Sequence, residues 1–520
     1  MFSEKTHRYI FLFGVFGLAF GMMIGTVPTS VPQIVLMANW LLEGDFKRKW
    51  SHIKSNKIFW VLSSVFFISA LGLLYTSNLQ AGWDDVRTKM PLLLLPLFFF
   101  SSKPLNTKEY HILLYLFMAG CVVNTLWCMT YTHVLHKNEV VRDASRFMSH
   151  IRLGLYLNIA LSCCVYFIVN TKSFAKRILM ILLFVYFLFS LYALGLASGM
   201  VNFVILFFLF LCVIIYMQKP LIKFTSFLVL ITFVFFVVNY VLRIKDTQLN
   251  LRPTANNVIT KNTPWGTPYI HFDTLGQKEN GNYVLINIQL EELQREWKRL
   301  FPDDSFSYSP MRNIARYEGL VRYLASKGLN KDSAAVVSLT EEDKQNIQNG
   351  IYNFRYPFWS FLHRRVYELV NEYDEYRKHR HVNGHSFTMR LYFWDAGFKL
   401  VKENPFFGVG TGDVQVELNK VYVATNSPLN EEWYKRPHNQ FLTITVALGC
   451  CGLLVFLWSL LYPIMSLKNY LPKLFWPFFI IVVVSFMVED TLETQAGLSF
   501  YAFFNTLFMS RGFFEKKGEG

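Results

Sequence analysis

The chain has 520 residues, 53% of them hydrophobic and 17% aromatic, and only 17% are charged. Soluble domains run at about 45–50% apolar and about 25% charged, so the composition excludes a disordered chain and a nucleic-acid-binding tail and argues against a string of three or four soluble domains. The net charge of +15 does not point to nucleic acid, because Lys and Arg collect in short stretches between apolar runs, a signature of membrane topology rather than of a basic groove. The sequence reads as an all-α integral membrane protein.

Crossing a bilayer as a helix takes about 20 apolar residues. In chain order the candidate spans are 9–27, 28–42, 58–76, 88–101, 110–133, 153–170, 178–197, 200–217, 224–242, 438–462, 474–488 and 494–510, which gives about twelve. The first is read as a retained span, since no small-residue cleavage site follows it. Two are weak as lipid-facing helices. The 28–42 run holds Pro32, Gln33 and Asn39, and the short 88–101 run holds Pro91 and Pro96. Such groups are tolerated where neighbours satisfy the backbone, so both are expected to face protein.

Cys121, Cys128, Cys163, Cys164, Cys212, Cys450 and Cys451 all lie inside apolar runs. They suggest neither a disulfide framework nor a metal site.

The Lys/Arg balance orients the chain. With the N-terminus inside, the inner stretches carry nineteen Lys/Arg and the short outer loops five, so both termini are expected to be cytoplasmic. Three regions follow: spans one to nine over 1–242, one large outer segment over 243–437, and the last three spans with a cytoplasmic end over 438–520. The outer segment is expected to be a mostly helical domain, with amphipathic runs at 287–301 and 359–380 after an irregular start over 247–283. No internal repeat is evident.

The stretch 388–449 carries the most chemistry. A helix with Arg390 and Trp394 stops at Asn404-Pro405, and a turn with Gly408, Gly410 and Gly412 follows. Arg436, Pro437, His438 and Asn439 then stand where the chain re-enters the membrane. The three glycines read as a tight turn in preference to a phosphate-cradling nest, because no Rossmann or P-loop context surrounds them. A polar cluster at the membrane surface suits a substrate with a polar head and a lipid tail. A second outer cluster, Arg142, Asp143, Arg146, His150 and Arg152, precedes the sixth span and runs against the positive-inside trend, so it needs a compensating anion. The turn holding Glu489, Asp490 and Glu493 reads as a solvated turn, with a role in orienting a histidine or binding sugar hydroxyls as the alternative.

The combination of Arg390-x-x-x-Trp394-x-x-Gly397, Pro405 before Gly408-Val409-Gly410, and His438-Asn439-x-x-Leu442 resembles the superfamily of O-antigen ligases, O-antigen polymerases and protein O-oligosaccharyltransferases, and most of all its ligases. The resemblance implies a GT-C-like architecture and an inner-membrane enzyme with its site facing the periplasm. It implies inverting transfer of a glycan from undecaprenyl diphosphate to a hydroxyl acceptor such as a lipid A-core sugar, with no metal or other cofactor and no nucleic acid, in contact with membrane lipid. By the same resemblance His438 falls on the catalytic histidine and Arg390 on an arginine that binds the donor diphosphate. Many members place an arginine after a serine between spans seven and eight, where this chain has Ser198-Gly199. Arg146 or Arg152 is the expected substitute, with Arg436 as a further diphosphate ligand. Glu489, Asp490 and Asn439 are candidates for orienting the histidine or binding the acceptor. A lipid-glycan flippase is the competing class, and it would call for charges along a midplane pathway and repeated halves.

Overall fold

The computed structural model describes residues 3–131, 147–251, 254, 258–272, 277–300, 313–379 and 382–518. Its first eleven helices are α1 (Glu4–Gly21), α2 (Thr26–Glu43), α3 (Phe46–Lys54), α4 (Lys57–Leu71), α5 (Leu79–Lys89), α6 (Pro91–Ser101), α7 (Thr107–Thr130), α8 (His150–Asn170), α9 (Phe174–Ala193), α10 (Ala197–Tyr216) and α11 (Pro220–Leu249). A two-residue hairpin follows, β1 (Lys278–Glu279) against β2 (Asn282–Tyr283). Next come the helices of the long polar segment: α12 (Leu290–Leu300), α13 (Asn313–Ser326), α14 (Ser333–Val337), α15 (Glu341–Gln348), α16 (Phe361–His379), α17 (Ser386–Glu403) and α18 (Val414–Ala424). The chain closes with α19 (Gln440–Leu467), α20 (Phe475–Val488) and α21 (Gln495–Lys517).

Among the described residues, seven helices are long and apolar enough to cross a membrane: Lys57–Tyr75, Thr107–Thr130, His150–Asn170, Phe174–Ala193, Ala197–Tyr216, Phe224–Gln248 and Gln440–Leu467. The other expected spans also form helices, for identifiable reasons of a different kind. The 88–101 run divides at Met90-Pro91. Its first residues finish the amphipathic α5, and α6, with eleven residues, rises only about 16 Å, too little to cross alone. As expected, α6 faces protein, burying Leu92, Leu95, Pro96 and Phe98 to Ser101. Only one stripe of α2 does so: Thr29, Pro32, Leu36 and Asn39 are buried while Val27, Val31, Ile34 and Leu42 are exposed.

The core is one aromatic-rich cluster with α21 at its centre. Every residue from Gly497 to Ser510 is buried, as expected of a helix surrounded by protein. Outer helices are the reverse: α10 and α11 bury little of themselves and expose Phe207, Phe210, Phe233 and Phe236. The close crossing of α8 and α10 explains the glycine after Ser198. A Cβ on Gly199 would stand 2.9 Å from the Gly154 Cα, and Asn158 donates to both the Gly154 and Gly199 carbonyls. Small residues permit such crossings, and a side chain there would push the helices apart.

The long polar segment forms two clusters. One packs Val284, Leu293, Trp297, Leu320, Leu324 and Val336 together. The other joins α17 and α18 to the first half of α19 through Phe393, Leu400, Leu418, Tyr422 and Val446. The α11 helix extends past its expected end and packs on α16, with Gln248 donating to Asn371 at 2.7 Å.

One break in α19 positions the site. Gly449 has φ +64 and ψ −166 inside the helix. The backbone groups released there are bonded by the turn after α17: Val409 and Gly410 donate to the Val446 and Ala447 carbonyls, and Cys450 and Cys451 donate to those of Pro405 and Phe406. A Cβ on Gly449 would lie 2.2 Å from the Phe406 carbonyl carbon, and one on Gly408 would lie 2.5 Å from that of Ala447. The glycine turn therefore seals a broken helix, in agreement with the tight-turn reading. Gly449→Ala combines a left-handed backbone with a backbone clash, so a loss of about 2–4 kcal/mol is expected. Thermal unfolding of the detergent-solubilised protein checks this, and an unchanged midpoint would contradict it.

Candidate functional site

The candidate residues converge on the turn between α20 and α21. That turn is not solvated. Glu489, Asp490, Thr491 and Leu492 are all buried, which corrects the expectation of an exposed acidic turn. Cations compensate the buried carboxylates: Arg390 lies 3.3 Å from Glu489, Arg436 lies 2.8 Å from Glu493, and Lys89 lies 3.1 Å from Glu493. Arg152 lies beneath the turn, with its guanidinium donating to Thr491 Oγ1 and to the Asp490 carbonyl.

Each carboxylate has its own task. Asp490 accepts from the backbone N–H groups of His438 and Asn439 at 3.0 and 3.2 Å, and from the Thr443 hydroxyl at 2.6 Å. It thereby fixes the chain entering α19, including the left-handed backbone of His438 at φ +50, which is uncommon for a residue other than glycine. Asn439 is the α19 N-cap. Its side chain accepts from the Leu442 N–H at 3.0 Å and donates to the Met487 carbonyl at 3.1 Å, so it holds two elements together. Glu493 accepts from Gln440 at 3.0 Å, and Gln440 in turn accepts from the Leu492 N–H.

Glu489 joins the two principal residues of the sequence motif. One oxygen accepts from Arg390 Nη2 and the other meets His438 Nδ1, each at 3.3 Å. With the Nδ1 proton directed to the carboxylate, Nε2 carries the free lone pair. Burial raises the Glu489 pKa, but the His438 bond and charge, with Arg152 and Arg390, bring it below the usual value. Asp490 is pushed up by burial against its Thr443 bond. Glu493 is held low despite burial by Lys89 and Arg436.

The α17 helix supplies the rest of the frame. Trp394 Nε1 donates to the Pro437 carbonyl at 2.9 Å, and the Phe393 ring lies 5.7 Å from that of His438. Arg390 and Trp394, one helical turn apart, thus reach the carboxylate that holds the histidine and the backbone just before it. Tyr422 on α18 donates to the Lys435 carbonyl at 2.7 Å, steadying the approach to Arg436.

Accessibility separates the candidates. The side chains of His438, Arg390 and Arg436 are 34%, 27% and 29% exposed, whereas Arg152 is 5% exposed. Arg152 is therefore spent on the underside of the turn and does not open toward a ligand from above it. Arg146, with Arg142 and Asp143, lies outside the described residues.

Lys89, absent from the sequence-based candidates, bridges Asp85 and Glu493. Its sequence signals were present: an Asp85-x-x-x-Lys89 helical pair and a lysine at the edge of an apolar run, which needs a partner. The glycine turn holds α5 in place. Asp413 accepts from the Ser77 and Asn78 N–H groups at 2.6 and 2.8 Å, and the Gly412 N–H donates to Thr76.

The lowered Glu489 pKa has a definite sign. The folded protein binds fewer protons than the unfolded chain there, so Glu489 contributes stability above the unfolded value of about 4.3, and that contribution disappears as pH falls through the folded value. The melting-point gap between wild type and Glu489→Gln is expected to be widest near neutral pH and to narrow toward about pH 3. A gap that widens on acidification would contradict this.

No curated protein matches the chain in sequence. Residues 336–457 match a family model described as O-antigen ligase. That stretch runs from α14 into α19 and contains Arg390, Trp394, Arg436 and His438, while the carboxylate turn, Arg152 and Lys89 lie outside it. Together with the seven membrane-length helices, the match makes this a multi-pass membrane protein that carries, over residues 336–457, a region matching the O-antigen ligase family.

Proposed function

We propose that the protein is an inverting glycosyltransferase of the O-antigen ligase type. It takes a glycan from undecaprenyl diphosphate on the periplasmic face of the inner membrane and transfers it to a hydroxyl of a lipid A-core sugar. The observation carrying this reading is the pair of contacts on Glu489, which put a neutral-capable imidazole and a guanidinium on opposite oxygens of one buried carboxylate.

In this mechanism Nε2 of His438 takes the proton of the acceptor hydroxyl, and Glu489 stabilises the imidazolium that results. The acceptor oxygen attacks the anomeric carbon as the bond to the diphosphate breaks. Negative charge then grows on the leaving diphosphate, where preorganised cations count most. Arg390 and Arg436 are the accessible cations on this side of the turn, and the planar guanidinium suits phosphate oxygens. Arg152 and Lys89 hold the turn's charge in balance from within. No metal or other cofactor enters these steps. The twelve-span, GT-C-like arrangement with cytoplasmic termini is part of the proposal, with α1, α2, α20, α21 and the α5–α6 pair completing the membrane layer around the seven long helices.

Reconstitution tests this. Purified protein supplied with undecaprenyl-diphosphate-linked glycan and a lipid A-core acceptor is expected to make capped lipopolysaccharide, and His438→Ala is expected to lower the rate about 10²- to 10⁴-fold. Arg390→Lys is expected to fall well short of wild type, since one ammonium does not replace a fork. A folded His438→Ala variant with wild-type transfer would remove the histidine from the chemistry. Transfer only onto the growing glycan, or only onto protein, would reassign the acceptor.

A further inference from the structure

A cavity lies at the other end of the bundle from the His438 site. It measures about 180 Å³ and sits between α1, the end of α6, the start of α7 and the end of α21. Arg511 stands sixteen residues along α21 from Gln495, a rise of roughly 24 Å, so this cavity and the His438 site open toward opposite ends of the same helix.

Two cations stand in its polar lining. Lys103 and Arg511 line it, with the Thr107 and Ser510 hydroxyls and Tyr110. Arg511 stacks on the Tyr110 ring at 4.5 Å and reaches Thr107 at 3.5 Å. Neither Lys103 nor Arg511 has a carboxylate within ion-pair distance among the described residues, and of the acids nearby Glu109 is held by Arg8, which also binds the Lys103 and Pro104 carbonyls. The Tyr110 side chain is 2% exposed, and its hydroxyl has no hydrogen-bond partner. Thr107 is the first residue of α7, whose start is already closed by a capping box of Asn106 and Glu109, so the positive charge of the cavity comes from Lys103 and Arg511. Glu515 also lines the cavity and offsets one charge. Phe11, Phe99 and Leu507 form the apolar wall.

We propose that this cavity binds the phosphate headgroup of an anionic glycerophospholipid, with Arg511 and Lys103 on the phosphate and the phenylalanine wall along the start of the acyl chains. A basic pocket between membrane helices is the usual form of such a site. The apolar wall favours a lipid over a free ion.

Native mass spectrometry of the full-length protein in neutral detergent, titrated with phosphatidylglycerol, tests this. Wild type is expected to hold one phosphatidylglycerol at least tenfold more tightly than phosphatidylcholine. Lys103→Gln with Arg511→Gln is expected to weaken it about tenfold. Lys172→Gln with Arg177→Gln, at the same end of the bundle but away from the cavity, is expected to change nothing. Equal binding by wild type and the cavity variant would overturn the proposal, as would no preference for phosphatidylglycerol. Inorganic phosphate displacing the lipid at equal concentration would overturn the lipid as ligand and leave a soluble anion. Should the double variant fail to fold, Glu515→Gln gives the opposite test: about threefold tighter binding is expected, and unchanged binding would overturn the proposal.

Discussion

The structure depends on a buried turn with three carboxylates, neutralised from several directions. Removing an ion from water costs several kcal/mol even after relaxation, so Glu489, Asp490 and Glu493 can be buried only where cations meet them. Arg390 comes from α17, Arg436 from the approach to α19, Lys89 from α5 and Arg152 from α8. Four segments far apart in sequence are thereby tied to one loop. Removing any one of these cations leaves charge uncompensated at the point where the helices meet.

The same loop makes the site specific in geometry. Asp490 holds the backbone of His438 and Asn439, and Glu489 holds the ring. The histidine is thus gripped at main chain and side chain by adjacent residues, which leaves Nε2 as its free nitrogen. Behind it, the Gly449 break lets the glycine turn bond to the backbone of α19, and that turn carries Asp413 to the start of α5. Backbone strain at His438 and Gly449 therefore brackets the first two turns of α19, and hydrogen bonds from other segments hold it in place.

Much of this was legible from residue order. The Arg390–Trp394 spacing, the glycine turn and the His438-Asn439 pair sit in one stretch, and the fold brings Arg390 and His438 onto one carboxylate. The burial of the 489–493 turn was not legible, because three acids near one another look solvated until their cations arrive from elsewhere in the chain. Arg152 shows the converse. Its position before a span suggested a ligand, and the fold spends it under the turn. The role of Gly199 also needed the fold, since only the α8–α10 crossing shows why the position has no room.

Span counting met a similar limit. Periodicity and length find α4, α7 to α11 and α19, whose apolar character is continuous. They define α5–α6 poorly, because Pro91 divides the run, and they treat α21 as ordinary although it is buried on every side.

The central claim is that Glu489 and His438 act as one unit in glycosyl transfer. A double-mutant cycle of His438→Ala and Glu489→Gln on the transfer rate tests it directly. The account predicts that the double variant is no slower than His438→Ala alone, because the carboxylate has nothing left to orient. Losses that multiply in the double variant would show the two residues acting independently and would contradict it.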